Sequence, residues 1–265
     1  MNTLFVGQNI IRVEQTDSTN SHLTRLLENE KFPEGAMLIT QKQVQGRGQR
    51  GATWESEPNQ NLTLSILLQP TFLLPDEQFQ LNKAISLGVM EMISNSLSFG
   101  EGWGEAKIKW PNDIYISNKK VAGILIENSV SGKKLQQSII GIGINVNQEK
   151  FSAKLPNPTA LKLVTGKEFD LGECLEQLCS CIESRYLQLR SPSSVLPIRE
   201  EAKQTAIDSD YLKSLYRFSE WASYKFKGEI VEAKITGVTK LGKLVLETKK
   251  EKILECDFKE VEFCK

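Results

Sequence analysis

Histidine is all but missing from this sequence: His22 is the only one among 265 residues. One imidazole cannot build a multi-histidine metal site, and a histidine-based triad has almost nothing to draw on. Net charge is missing too. Lys+Arg and Asp+Glu both number 33, so bulk electrostatics favour neither a nucleic-acid coat nor a membrane surface, and an anionic ligand must be met by local placement of charge. No apolar run approaches the roughly 20 residues of a membrane span. Met1 to Arg12 lacks a basic segment leading into a long apolar one, so it does not read as a signal peptide. The five cysteines, Cys174, Cys179, Cys181, Cys256 and Cys264, match no zinc spacing. An odd count without a secretion signal reads as reduced thiols in a cytoplasmic protein. What remains for chemistry is Lys, Arg, Asp, Asn and the backbone amides.

The chain is long enough for one large domain and a small one. Asp17-Ser18-Thr19-Asn20 precedes an amphipathic run and reads as a helix start. Ala36 to Thr40 and Leu62 to Leu68 read as strands. Asp76 is placed to cap a long apolar helix from about Glu77 to Leu97, in which Met90 and Met92 are core filler. Lys107 to Trp110, Ile114 to Ile116, Val121 to Glu127 and Leu135 to Val146 are strands joined by short turns, the pattern of an at least partly antiparallel sheet. Gly172 to Leu189 reads as a helix, with a less regular helical stretch to about Leu215. From Ser223 onward come Lys225 to Gly228, Ile230 to Val238, Leu241 to Leu246 and Lys252 to Leu254, short strands with tight turns that predict a small β-barrel. The fold class is therefore α+β, with a mixed, largely antiparallel sheet and flanking helices over 1–220 and a small β domain over 221–265.

Three stretches carry candidate chemistry. Gly46-Arg47-Gly48-Gln49-Arg50-Gly51, followed by Trp54, offers a pliable backbone and two guanidinium forks suited to carboxylate or phosphate. It satisfies G-x-G-x-x-G formally, yet a polar run precedes it, no helix follows, and no acid lies near Thr71, so the dinucleotide reading fails. It also lacks a Walker lysine. Lys109-Trp110-Pro111-Asn112-Asp113 places Asn112 and Asp113 at a strand exit, and Lys120 opens the apolar Val121-Ala122-Gly123 strand. In Ile140 to Asn147, Gly141 and Gly143 alternate with isoleucines. Glycines there cost stability unless something packs flat against them, either a planar ligand or a close strand.

In order and spacing, Ser18-Thr19-Asn20, Gln43 with the glycine-arginine loop and Trp54, Lys109 to Asp113, Lys120 to Gly123, and Gly141 to Asn145 resemble the biotin protein ligases from about residue 10 to the C-terminus. The resemblance implies a fold of the class II synthetase and biotin ligase type with an SH3-like C-terminal β domain. It implies that Ser18, Thr19, Asn20, Gln43, Arg47, Gly48, Gln49, Lys120, Gly123, Gly141 and Gly143 bind biotin. Arg47, Arg50, Trp54, Asn112, Asp113 and Asn145 would bind ATP or the adenylate. Lys120 and Arg47 would be catalytic, neutralising charge as biotin's carboxylate attacks the α-phosphorus. Mg²⁺ would bridge the phosphates, with Asp113 as a ligand directly or through water.

The implied partner is a biotin carboxyl carrier protein or domain, whose lysine accepts biotin, with the ligase a monomer or homodimer. The roughly ten residues before Ile11 hold no helix-turn-helix, so no DNA partner is expected, and no membrane partner either. Gln49 stands where some members carry arginine. Two further readings remain open at this point: a lipoate or octanoyl ligase or transferase of the same superfamily, and a biotin-binding sensor or adaptor without turnover.

Overall fold

The computed structural model describes residues 1–97, 104–190 and 206–264. Strand β1 (Ile10–Thr16) leads to helix α1 (Thr19–Asn29), then to β2 (Met37–Gln43). A small ladder of β3 (Gly46–Arg47) and β4 (Thr53–Trp54) stands apart, and β5 (Asn61–Leu68) returns the chain to the main sheet. A turn of 3-10 helix at Pro75–Glu77 opens into helix α2 (Gln78–Leu97). Strands β6 (Ala106–Lys109), β7 (Asp113–Ile116), β8 (Lys119–Ser131) and β9 (Lys134–Asn145) follow, then helices α3 (Leu161–Thr165), α4 (Leu171–Arg190) and α5 (Ala206–Ser214). The main sheet has seven strands in the order β1-β2-β5-β9-β8-β7-β6, parallel between β1 and β2 and antiparallel elsewhere.

Strand alternation decides what each face of this sheet holds. On β5, Leu62, Leu64, Ile66 and Leu68 join the large core, as do Ile140, Ile142 and Ile144 on β9 and Ala122 and Ile124 on β8. Helix α2, with Phe79, Leu81, Ile85, Val89 and Ile93, packs into that core beside Leu178, Ile182 and Tyr186 of α4. The residues between them face the other way, and most of those on β5 and β9 nearest the glycines are small or polar. Register aligns Thr63 with Gly143, Gly143 with Gly123, and Gly123 with Asp113, a row across four strands. Beside it run Ser65, Gly141 and Leu125. Only the far end of this second face is apolar, where Leu23 of α1 meets Leu38, Leu67 and Ile139. The sheet is thus oiled on one side and hollowed on the other.

The C-terminal strands β10 (Trp221–Phe226), β11 (Glu229–Val238), β12 (Leu244–Thr248), β13 (Ile253–Cys256) and β14 (Val261–Phe263) form a separate five-stranded antiparallel sheet, order β13-β12-β11-β10-β14. It is tied to the main body by polar as well as apolar contacts. Trp110 Nε1 donates to the Gly242 carbonyl at 2.9 Å, and Lys240 pairs with Asp76 at 2.6 Å. That contact corrects the expected role of Asp76. Asp76 lies inside the 3-10 turn, whose capping position is Leu74, and Glu77 accepts the Leu74 N–H at 3.1 Å. The third C-terminal strand begins at Leu244 and not Leu241, because Gly242 has φ +89 and closes a turn. Part of the helical stretch expected before Leu215, residues 191–205, lies outside the described residues. Strand β1 and helix α3 had no clear signature. Among the described residues, no helix is long and apolar enough to cross a membrane.

The N-terminal segment is held by one side chain. Glu183 of α4, only 6% exposed, accepts the backbone N–H groups of Leu4, Phe5 and Val6 at 2.6, 2.8 and 3.0 Å. Removing the carboxylate leaves three donors short of a partner, that of Val6 in a fully buried setting. Glu183→Ala should therefore destabilise the fold by about 2 kcal/mol or more in urea titration, whereas Glu176→Ala, whose carboxylate is exposed at 61%, should not.

Candidate active site

The glycine-arginine stretch is a short hairpin. Gly46 pairs with Trp54 and Arg47 with Thr53, and a 3-10 turn at Gln49–Gly51 joins the two strands. Two glycines are required by the backbone itself. A Cβ on Gly46 would lie 2.1 Å from the Trp54 carbonyl oxygen, and Gly51 has φ +83, a region open to residues without a Cβ. The hairpin lies over the hollowed face of the main sheet and forms a lid on a cavity of about 160 Å³. The side chain of Arg50 is outside the described residues.

The glycine floor is covered by protein. The Trp54 indole lies flat on Gly143 and Gly123, where an added Cβ would meet its ring at 2.2 and 3.1 Å, and Asn20 lies on Gly141, its Oδ1 2.4 Å from the ideal Cβ position. The planar group that these glycines admit is therefore Trp54 of the lid. Its Nε1 is buried against Gly143 without a hydrogen-bond partner. Lys120 extends toward the same indole, 5.8 Å from its centroid.

Lys120 is oriented by Asp113, with Nζ 2.7 Å from Oδ1 and both side chains about one-third exposed. Asp113 is the only carboxylate among the cavity-lining residues. Its sheet partner, Lys109, lies 5.0 and 5.1 Å from the ring centroids of Tyr115 and Phe263. Burial among those rings pushes the Lys109 ammonium below its ordinary pKa, opposed by the negative charge of Asp113.

Helix α1 presents its N-terminus to the cavity. Ser18 is the capping residue by position but its side chain makes no capping bond. Instead Gln43 Oε1 accepts the Thr19 N–H at 2.8 Å, so Gln43 closes the helix end while lining the cavity. Asp17 is taken by Arg25, with two bonds at 2.8 and 2.9 Å, and the guanidinium holds its carboxyl well below the usual range. His22, the lone histidine, meets Thr16 Oγ1 at 3.0 Å and lies outside the cavity lining.

Ser18, Thr19, Asn20, Gln43, Arg47, Gly48, Gln49, Trp54, Asn112, Asp113, Lys120, Gly123, Gly141 and Gly143 all line this one cavity. Asn112 is nearly sealed and donates to the Ile124 carbonyl at 2.6 Å. Asn145 is not among the lining residues; its Nδ2 donates to the Thr159 carbonyl at 2.9 Å and its Oδ1 is buried without a partner. Lining residues that had not been anticipated include Leu125 and Phe258, and Glu127 stands just outside the lining. Leu125 and Glu127 follow Gly123 at every second position of β8, so strand period alone places them on the same face. Phe258 enters the lining from the C-terminal sheet, across a sequence distance that no local pattern spans. Arg47 is paired with Glu127, Nη2 to Oε1 at 2.7 Å.

With this geometry in place, the relatives are informative. The sequence model of the Biotin/lipoate A/B protein ligase family matches residues 13–145, which contain every cavity-lining residue except Phe258. The chain belongs to this family. It is 33% identical over 182 residues to a biotin–[acetyl-CoA-carboxylase] ligase of Paracoccus denitrificans, covering 66% of this chain and 72% of that protein. It is 32% identical over 189 residues to the bifunctional ligase/repressor BirA of Bacillus spizizenii, covering 70% of this chain but only 56% of BirA. The match thus spans little more than half of BirA. The fold superposes on the biotin protein ligase from Aquifex aeolicus in complex with biotin and ATP with a TM-score of 0.72 and 26% identity, over 96% of this chain and 98% of that one.

A methyl group on Gly143 cannot coexist with the Trp54 ring where it lies. Gly143→Ala should expel the indole from the floor, read as a red shift of tryptophan emission that is absent when the same change is made in a Trp54→Phe background.

Proposed function

We propose that this chain is an ATP-dependent biotin protein ligase. It would form biotinyl-5'-AMP from biotin and ATP and then pass biotin to a specific lysine of a biotin carboxyl carrier protein. The observation that carries this reading is the convergence of Arg47, Lys120, the Gly141 and Gly143 floor and the N-terminus of α1 on one lidded cavity in a chain of this family.

The polar end of the cavity, with Ser18, Thr19, Asn20 and Gln43, suits a small ring bearing both donors and acceptors. The ring system of biotin would lie against Gly141 and Gly143, with Trp54 as the opposite wall once it lifts from the floor. The carboxylate would then reach Lys120, whose ammonium is fixed by Asp113. In the first step a carboxylate oxygen attacks the α-phosphorus, the bond from that phosphorus to the bridging oxygen breaks, and pyrophosphate leaves. Two anions approach each other there, so fixed cations contribute most of the barrier reduction. Lys120 and Arg47 are the cations in place, and the partnerless Nε1 of Trp54 would become a further donor once the indole lifts.

Asn112 and Asp113 would border the nucleotide with Trp54, and Arg50 and Asn145 would complete that subsite. In the second step a carrier lysine, as the free amine, attacks the acyl carbonyl. An amide forms, AMP leaves, and the amine's proton passes to solvent. A closed lid excludes water from the anhydride between the steps.

Mg²⁺ would accompany ATP. Among the described residues no cluster of three His, Cys, Asp or Glu side chains is poised to hold a metal. A magnesium ion that keeps its waters and binds phosphate oxygens needs only one carboxylate, and Asp113 fits that demand. Residues 221–265 would act as the SH3-like domain, supplying Phe258 to the cavity wall, while 1–220 would carry the catalytic groups.

Lys120→Ala and Arg47→Ala should each reduce biotin-dependent pyrophosphate exchange by about 10²-fold or more, with unchanged far-ultraviolet circular dichroism; normal exchange in either would sink the assignment. Calorimetry should show binding of biotin and not of lipoate. Incubation with ATP, Mg²⁺, biotin and a carrier domain should add the mass of one biotinyl group to one lysine.

A further inference from the structure

We propose that Glu127 is a positioning residue that latches the lid and fixes the head-group amide of Asn20, so that ligand recognition and lid closure depend on one carboxylate. The identity of the ligand rests on the biotin-ligase reading; the contacts do not.

Glu127 sits on β8 two residues past Leu125, at the rim of the hollowed face and opposite Ile139. Both of its oxygens are engaged. Oε1 accepts from Arg47 Nη2 at 2.7 Å, and Oε2 accepts from Asn20 Nδ2 at 2.8 Å and from Arg47 Nη1 at 3.5 Å. The first partner belongs to the lid. The two-pair ladder of β3 and β4 joins the lid to itself and not to the sheet, whereas the Arg47–Glu127 pair crosses from lid to sheet. Arg47 Nη1 also donates to Ser21 Oγ at 3.1 Å, so the guanidinium spans from α1 to β8.

The second partner lies inside. Asn20 is 2% exposed and pressed on Gly141. Its Oδ1 accepts from the fully buried Ser65 hydroxyl at 2.6 Å, and its Nδ2 donates to Glu127 at 2.8 Å and, less closely, to the Leu125 carbonyl at 3.3 Å. With a donor at one end and a carboxylate at the other, the amide has one favoured orientation, and a ligand meets it already turned. Loss of the carboxylate leaves Nδ2 with only its longer bond to the Leu125 carbonyl, which loosens the amide, and it lets the lid lift. A glutamine here keeps an acceptor for Asn20 and removes only the charge that holds Arg47. The Arg47–Glu127 pair is half exposed, at 49% and 36%, so it adds little to global stability and its removal acts locally.

The test compares the parent with Glu127→Gln and Glu127→Ala. Without substrates, hydrogen exchange of the amides from Gly46 to Trp54 should quicken by about tenfold in both variants. In calorimetry, Glu127→Ala should weaken biotin binding by about fivefold or more, and Glu127→Gln should restore most of that loss because it keeps the Asn20 acceptor. Release of preformed biotinyl-adenylate, measured without a carrier, should rise by about tenfold in both, since neither holds Arg47. Unchanged lid exchange in Glu127→Gln overturns the latch, and equal loss of biotin affinity in the two variants overturns the link to Asn20. If the parent protein neither binds biotin nor forms the adenylate, the ligase reading fails, and the exchange experiment still decides the latch.

Discussion

Everything in this molecule depends on the pleat of three adjacent strands. In β5, β9 and β8 the alternate side chains that face α2 and α4 are large and aliphatic. Those between them are threonine, serine, glycine, leucine and carboxylate. The first set supplies the buried apolar area that holds helices against the sheet. The second leaves a hollow that helix α1 covers only in part, through Asn20 and Leu23. A shift of register by one residue would exchange the two sets, so the force that folds the domain also guarantees that the binding face is empty of bulk.

Onto that hollow the chain brings groups of opposite character from distant elements. Helix α1 contributes a polar end, the β7–β8 region contributes an anchored lysine, and the hairpin of β3 and β4 contributes a guanidinium and an indole. Each is itself held: Thr19 by Gln43, Lys120 by Asp113, Arg47 by Glu127. Cations in the cavity are therefore paired before any anionic ligand arrives. These carboxylates keep the two positive charges tolerable side by side.

Much of this was legible from residues alone, and the limits have physical causes. The strands from Leu62 to Leu68 and from Ile140 to Asn145 announced themselves by apolar period, and the lone-histidine composition directed attention to Lys, Arg and backbone groups. The glycine pair at Gly141 and Gly143 was recognisable as a floor, but what covers it was not, because Trp54 and Asn20 reach it from elements 89 and 121 positions earlier than Gly143 and Gly141, respectively. Asp76 was read as a cap because capping is local, and its partner Lys240 is 164 residues away. Glu127 was within reach of strand period and was passed over as the end of an apolar run. Phe258 carried no signal of any kind.

That last residue has a consequence for how the site comes into being during synthesis. The cavity draws its walls from Ser18 to Phe258, and Lys109 rests against Phe263, near the close of the chain. A nascent polypeptide with the whole main sheet already outside the ribosome still lacks one wall of its cavity and one face of the aromatic cage around Lys109. The cavity is thus closed by contact between two separate sheets, and the larger one cannot complete it however well it has folded.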